Sequence, residues 1–325
     1  MLNYKKSCAL IVTYNRPKLL IRALSSLSNQ TVKLDKIIIV DNGSDYETFD
    51  SLVNNKYLSS QVSKIDNNYL GESYEEIIFE NIHYIKIISN QGPAFGFHFG
   101  INYFLGLSNS WLWIMDDDGY ADTQAHENLL KTIDNNIDFL NCLVLDVSDE
   151  SKLSFGLFDR NSKEMIYDRV GVLRVTESNL FFDHANPFNG TFLSKRMLQK
   201  IGLPKYQFYG WGVEVELMLR AISLNFRVAT VIDSLFFHPR SREKQVVIFN
   251  GKYKLNLHES KIKNYCEFRN KANIQFNFQK KRFIKFFLLY TLYFIKTFQF
   301  QMLVFYINAT FHGVFDIWGR EKKYL

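Results

Sequence analysis

Cysteine is nearly absent from this chain. Cys8, Cys142 and Cys266 stand far apart in 325 residues. Such spacing indicates neither a disulfide framework nor a thiolate zinc cluster, and it suits a reducing compartment. Long apolar runs are missing too. The run Phe286 to Ile295 is too short to span a bilayer. The run Cys8 to Val12 is too short for the apolar core of a signal peptide and meets a polar turn at once, so no secretion signal is expected. Acidic residues are scarce near the C-terminus. Residues 252–325 hold 14 Lys+Arg against 4 Asp+Glu, a net +10; from chain totals of 39 and 33, residues 1–251 hold 25 against 29, a net −4. A basic tail on an acidic body fits a polyanionic partner for the tail alone. The tail is also rich in Phe and Tyr, so a membrane surface fits it better than nucleic acid.

What is present suffices for one large α/β domain and a smaller appendage. Residues 8–13 and 36–41 read as buried strands, short and apolar, each stopped by polar residues. Between them Pro17 marks the first turn of a helix that runs to about Asn29. Strand, helix and strand in this order make a parallel βαβ unit. Residues 45–82 read as a helix followed by irregular structure. Further strands are expected at 84–88 and 111–115, with a helix over 93–107 between them. No internal repeat is visible, and the best domain boundary lies near residue 250, where the charge changes sign. Residues 1–250 then form the main domain, divided near 118, and 251–325 a helical region.

Open parallel sheets bind ligands beyond the carboxyl ends of their strands. The residues to inspect are therefore Thr13, Asn15 and Arg16, then Asp41 to Ser44 with Asn42 among them, then Asn90 to Gly92, then Asp116 to Asp118. Three adjacent carboxylates repel one another unless a cation lies among them. Mg²⁺ and Mn²⁺ prefer oxygen ligands and commonly bridge to phosphates. The alternative is a solvated acidic turn; placement at the end of a buried strand favours the cation.

The order IVTYNRP, IIIVDNGSD and a strand ending in DDD resembles the family-2 inverting glycosyltransferases of the GT-A fold. The resemblance implies a Rossmann-like, mostly parallel sheet and a nucleotide diphosphate-sugar donor. It implies that Thr13 and Arg16 contact the uridine or diphosphate and Asp41 the base or ribose. Asp116 and Asp118 become metal contacts, with Asp117 nearer the sugar or ribose. The segment from Asn90 through Gly92, Ala94 and Gly96 is similar to a stretch of bacterial galactofuranosyl- and rhamnosyltransferases. Its small residues let backbone approach a phosphate or sugar at a helix start, or else pack the helix entry tightly.

The segment from Tyr209 to Glu216 resembles the family's W-G-D-[DE]-V-E motif, whose acid is the general base. An inverting transfer needs a carboxylate to take the proton of the attacking hydroxyl. Glu214 shares a helix face with Leu217, Met218 and Ala221, whereas Glu216 lies four before Arg220 and suits a surface pair. Glu214 is thus the expected base, with Glu216 and Trp211 facing the acceptor, although Trp211 fits a core position equally. By the same resemblance His238 joins Asp116 and Asp118 at the metal. Arg240 and Arg242 are near enough in sequence to hold the diphosphate or acceptor.

The segment from Tyr265 to Asn270 resembles the family's late Y-Y-x-x-R-N segment and opens a helix, in which a structural role suits Arg269. Beyond it Lys281, Lys285, Lys296 and Gln299 fall on one helical face, as in a helix lying in a membrane interface. Packing on the body or on a second copy of the chain is the alternative. The expected activity is an inverting transfer of galactofuranose from its UDP donor, dependent on Mn²⁺ or Mg²⁺, onto a lipid-linked, cell-surface glycan. It is expected at the inner face of a bacterial membrane. A dTDP-rhamnose donor is the alternative within the class; a sugar nucleotidyltransferase and a non-catalytic sugar-binding protein are alternatives outside it.

Overall fold

The computed structural model describes residues 6–61, 65–133, 137–176, 178–240, 245–248, 251 and 253–324. In chain order the elements are β1 (Ser7–Thr13), α1 (Pro17–Ser28), β2 (Lys36–Asp41), α2 (Tyr46–Asn54), β3 (Ile65–Tyr69), β4 (Glu72–Phe79), β5 (Ile82–Ile87), α3 (Pro93–Gly106) and β6 (Trp111–Asp116). Next come β7 (Tyr120–Ala121), α4 (Ala125–Thr132), β8 (Ile137–Asp146), β9 (Asp149–Asp159), β10 (Glu164–Asp168), α5 (Arg169–Val175), β11 (Leu180–Phe182), β12 (Asn189–Ser194) and α6 (Lys195–Ile201). The chain continues with α7 (Val213–Ser223), β13 (Arg227–His238), β14 (Gln245–Ile248), β15 (Tyr253–Asn256), α8 (Lys261–Phe278), α9 (Lys280–Lys296) and α10 (Phe300–Val314). Two compact units emerge: Met1–Leu203 with Ala221–Ser241, and Pro204–Arg220 with Arg242–Leu325. The loop before α7 and the first turns of that helix therefore belong with the C-terminal helices, and the change of charge near residue 250 lies inside the second unit.

The first unit is built on one sheet, ordered β10-β9-β8-β12-β6-β1-β2-β5-β4-β3, with β13 paired to β8. Its centre, β6-β1-β2-β5, is parallel throughout. Every residue of β1 is buried, because both faces of the sheet are covered. Ala9 and Ile11 join the core with Leu20, Ala23 and Leu24 of α1. On the other face Gly96 of α3 sits so close to β1 that an added Cβ would lie 2.5 Å from Val12 Cγ1. A strand covered on both faces reads as an unbroken apolar run rather than an alternating one. Each large apolar side chain taken from water there contributes about 1.5–3 kcal/mol.

Two expectations change. The stretch after α2 is not irregular: β3 and β4 form an antiparallel hairpin that extends the sheet beyond β5. β3 is exposed along most of its length, so it carries no apolar pattern by which a strand could be recognised. The basic, aromatic tail is not one continuous helix through Gln299. It turns between Lys296 and Phe300, with Phe298 in the left-handed region at φ 55°.

In the second unit the β14–β15 hairpin accompanies three helices. Their core is largely aromatic, with Tyr265, Phe268, Tyr290, Phe294 and Tyr306 buried together. Phe268 meets Tyr306 edge-on, centroids 5.0 Å apart at 88°, the arrangement that ring quadrupoles favour. Much of the chain's aromatic surplus is thus structural.

Candidate functional site

The loops that follow β1, β2 and β5 are tied into one wall. Asn42 N donates to the Thr13 carbonyl at 2.9 Å. Asn15 N donates to Ser44 Oγ at 2.9 Å, and Asp45 N returns a bond to Asn15 Oδ1 at 2.9 Å. The Asn42 amide reaches Asn90 Oδ1 at 3.3 Å, and that oxygen also accepts from Gly92 N at 2.8 Å. Gly92, at φ 82°, then caps α3. Gly43 makes the closest approach. It has φ 85°, and a Cβ there would lie 2.6 Å from Asn90 N and 2.7 Å from the Ser89 carbonyl carbon. Gly43→Ala should therefore cost about 1–3 kcal/mol and part the second loop from the third. Thermal denaturation checks this, with a lower Tm expected.

Asp41, the residue expected at the base or ribose, is held inside this wall. It is fully buried. Its two oxygens accept from Ser44 N at 2.8 Å and Tyr84 OH at 2.5 Å. Burial raises its pKa, against the pull of those bonds. Through these bonds Asp41 fixes the loop that carries Asn42. Gly96 likewise serves helix–strand packing, since its missing side chain makes room for Val12.

Parallel pairing sets Val12 opposite Asp116, which brings the β1 loop against the acidic cluster. Thr13 Oγ1 donates to Asp117 Oδ2 at 2.8 Å. Arg16 Nη1 lies 3.1 Å from Asp117 Oδ1 and 3.3 Å from Asp118 Oδ2, and half of its side chain stays open to solvent. Asp117 is buried, and burial raises its pKa despite the Thr13 hydrogen bond and the Arg16 charge. Arg22, a residue that nothing in the sequence singled out, donates to the Asp118 carbonyl at 2.6 Å. Its guanidinium lies 4.8 Å from the Tyr120 ring centroid. An arginine on the inner side of an amphipathic helix gives no local sign of the loop it will reach.

β13 runs parallel to β8 and ends at His238. Nε2 of His238 lies 2.9 Å from Asp118 Oδ1. Its Nδ1 donates to the Pro239 carbonyl at 2.7 Å, which fixes the ring and turns Nε2 toward the carboxylates. A carbonyl that takes the other ring N–H in this way is the usual outer support of a metal-ligating imidazole. Burial alone would lower the His238 pKa, but the hydrogen bond and charge of Asp118 outweigh it and the net shift is upward. Asp118 mirrors this: burial works against its charged form, His238 and Arg16 outweigh burial, and its pKa falls. Ligand atoms of Asp116, Asp118 and His238 all lie within 4.8 Å of one another. Two carboxylates and one neutral imidazole nitrogen at that spacing fit a divalent cation that also takes phosphate oxygens. Arg240 is exposed, and Arg242 lies outside the described residues.

In the second unit, Gly212 N donates to Glu214 Oε1 at 3.2 Å. Glu214 is half-buried at the start of α7. Desolvation raises its pKa, more than hydrogen bonding lowers it, and the charge of Glu267 adds to the rise. Glu216 makes the expected pair with Arg220, at 2.7 Å, but not on the surface: Glu216 is 1% exposed. Its carboxylate is enclosed. Trp211 is half-buried, packs against the aromatic core and has the Lys263 ammonium 5.5 Å from its ring centroid.

The chain resembles known proteins in the same sense. The galactofuranosyltransferase GlfT1 of Mycolicibacterium smegmatis is 25% identical over 272 residues, 82% of this chain and 81% of that protein. Among solved structures, GalNAc-T7 with UDP, GalNAc and Mn²⁺ matches at a TM-score of 0.55 and 14% identity, over 84% of this chain. The match spans 51% of that longer protein. The mannosyltransferase PcManGT of Pyrobaculum calidifontis, with GDP-Man and Mn²⁺, matches at 0.52 and 12% identity, over 83% of this chain and 63% of its own. The fold is GT-A. The sequence profile of glycosyl transferase family 2 matches residues 8–187, more than half the chain. The chain belongs to glycosyl transferase family 2.

Proposed function

We propose that the protein transfers galactofuranose from UDP-galactofuranose onto a lipid-linked, cell-surface glycan in one inverting displacement. The convergence of Asp116, Asp118 and His238, with Arg16 beside them, carries this reading. A cation held by those three residues would offset negative charge on the diphosphate. Thr13 holds Asp117 in place, and Arg16 offers its open side to the diphosphate as that group leaves. Glu214 takes the proton of the acceptor hydroxyl while its oxygen bonds to the anomeric carbon. The bond to the diphosphate breaks on the opposite face, so configuration inverts and no covalent enzyme intermediate forms. The similarity to GlfT1 supports the donor sugar. To test it, the protein is given UDP-galactofuranose, UDP-galactopyranose or dTDP-rhamnose with a membrane glycan acceptor. UDP release and product from the first alone support the reading; product from dTDP-rhamnose alone overturns the donor assignment.

Membrane contact at the inner face of the cell membrane belongs to the same proposal. No described helix is long and apolar enough to cross a membrane. Yet α9 leaves Ile284, Leu288 and Leu292 exposed, and α10 leaves Val304, Ile307 and Phe311 exposed, each set on one helix face. Lys280, Lys281, Arg282 and Lys285 are exposed at the start of α9. Apolar stripes fringed by cations fit an anionic lipid interface. A second copy of the chain would bring like charge against like. Leu288→Asp with Leu292→Asp should reduce co-sedimentation with anionic vesicles by at least about tenfold, since each buried leucine contributes about 1.5–3 kcal/mol. Unchanged sedimentation, or loss of a dimer in its place, would point to a protein partner.

A further inference from the structure

The loop that leads into α7 has an unusual backbone. Tyr209 has φ 64°, Trp211 φ 31° and Gly212 φ 88°. Large aromatic residues resist the left-handed region, and such conformations persist only where surroundings hold them. The holding groups come from α8. Asn270, almost wholly buried, places Nδ2 3.0 Å from the Phe208 carbonyl oxygen, 2.8 Å from that of Gly210 and 2.9 Å from that of Trp211. The amide cannot turn over, because Arg269 Nε donates to its Oδ1 at 3.0 Å. Arg269 is fully buried. Its Nη2 also donates to the Gln207 and Phe208 carbonyls at 3.1 and 2.9 Å, and its Nη1 pairs with Glu321. The Tyr265 and Trp318 rings flank it at 5.3 and 5.0 Å. A lysine could balance Glu321 but could not make this fork.

Resting on the reading of Glu214 as base, we infer that Asn270 is its positioning residue, with Arg269 setting the amide's orientation. The chain of contacts is continuous. Glu321 holds Arg269, Arg269 orients Asn270, and Asn270 gathers three carbonyls. The next residue, Gly212, gives its N–H to the Glu214 carboxylate. Positioning through this relay concerns the acceptor step. Donor binding does not depend on it.

Asn270→Ala should lower kcat by about 10–100-fold, the scale of a small misplacement at a reacting group, while UDP affinity and donor KM stay within about twofold. Without the ordered Gly212 N–H, which favours the charged form of Glu214, the acidic limb of the kcat–pH profile should move upward. Arg269→Lys should act in the same direction, because the amide is free to turn over. Asn273 is the control. It is as buried, on the same helix, and donates to the Gly313 carbonyl at 2.8 Å; toward the segment before α7 it meets only the Lys205 ammonium, at 3.0 Å, and none of the carbonyls that Asn270 gathers. Asn273→Ala should lower Tm and leave kcat and the pH profile unchanged. Wild-type kcat and an unmoved limb in Asn270→Ala, beside an inactive Glu214→Gln, overturn the inference alone. Wild-type kcat in Glu214→Gln overturns the base assignment and the inference with it.

Discussion

Glu214→Gln lowers kcat by about 10²–10⁴-fold, the usual contribution of a positioned general base. The amide keeps the size of the carboxylate and can accept a hydrogen bond, but it cannot take the acceptor's proton. Donor affinity changes little, because the proposal assigns the nucleotide to the groups around Thr13, Arg16 and the acidic cluster. The wild-type pH profile carries a second sign of the same group. Burial and the Glu267 charge raise the Glu214 pKa. As pH falls through that raised value the base is protonated and rate is lost. The acidic limb of kcat therefore lies above the range of an ordinary glutamate, and Glu214→Gln removes it. Glu216→Gln behaves differently. It weakens a buried pair with Arg220, so it costs about 1–3 kcal/mol of stability and leaves kcat nearly intact. Steady-state kinetics at saturating donor and acceptor, with Tm for both variants, separate the two acids. A dead Glu216→Gln beside an active Glu214→Gln would move the base two residues along.

Asp118→Ala abolishes transfer with the fold retained, a loss of at least about 10²–10³-fold, as for removal of a main stabiliser of developing charge. Asp118 is the point where the other groups meet: His238 Nε2 at 2.9 Å, Arg16 Nη1 at 3.3 Å, and Arg22 on its carbonyl. The substitution leaves Arg16 with Asp117 and the Arg22 bond in place, so circular dichroism should be unchanged. Excess chelator should silence the wild-type protein in the same way, with Mn²⁺ or Mg²⁺ restoring it. Full wild-type activity in chelator would remove the metal from the proposal.

The parallel centre was legible because its strands are buried on both faces. β1, β2 and β6 are short apolar runs, each followed at once by polar residues. Their order alone places Thr13, Arg16 and Asp116 to Asp118 at one end of a parallel sheet. β3 was not legible, for an edge strand bathed in solvent has no apolar face to display, and β4 buries too little beyond Ile77 to mark itself. The partners of Asp41 were not legible for a related reason. A carboxylate at a strand end looks available to ligand, and only tertiary contacts show Tyr84 and Ser44 closing over it. Glu214 and Glu216 show the limit of helical spacing. Both flank the apolar stripe of Val213, Leu217 and Ala221, so periodicity alone does not say which is enclosed. The clamp from Asn270 spans about sixty positions of sequence and leaves no local pattern. Only the late Tyr265–Asn270 segment, by its resemblance to the family, hinted that something there mattered.

The measurement closest to the central claim is nucleotide diphosphate release by the purified chain. UDP-galactofuranose, Mn²⁺ and a membrane glycan acceptor are supplied, and the product's anomeric configuration is read by NMR. The proposed chemistry requires stoichiometric UDP, a new glycosidic bond of inverted configuration, and loss of both in chelator and in Glu214→Gln. Pyrophosphate formed from a nucleoside triphosphate and a sugar 1-phosphate, or a product of retained configuration, would contradict it.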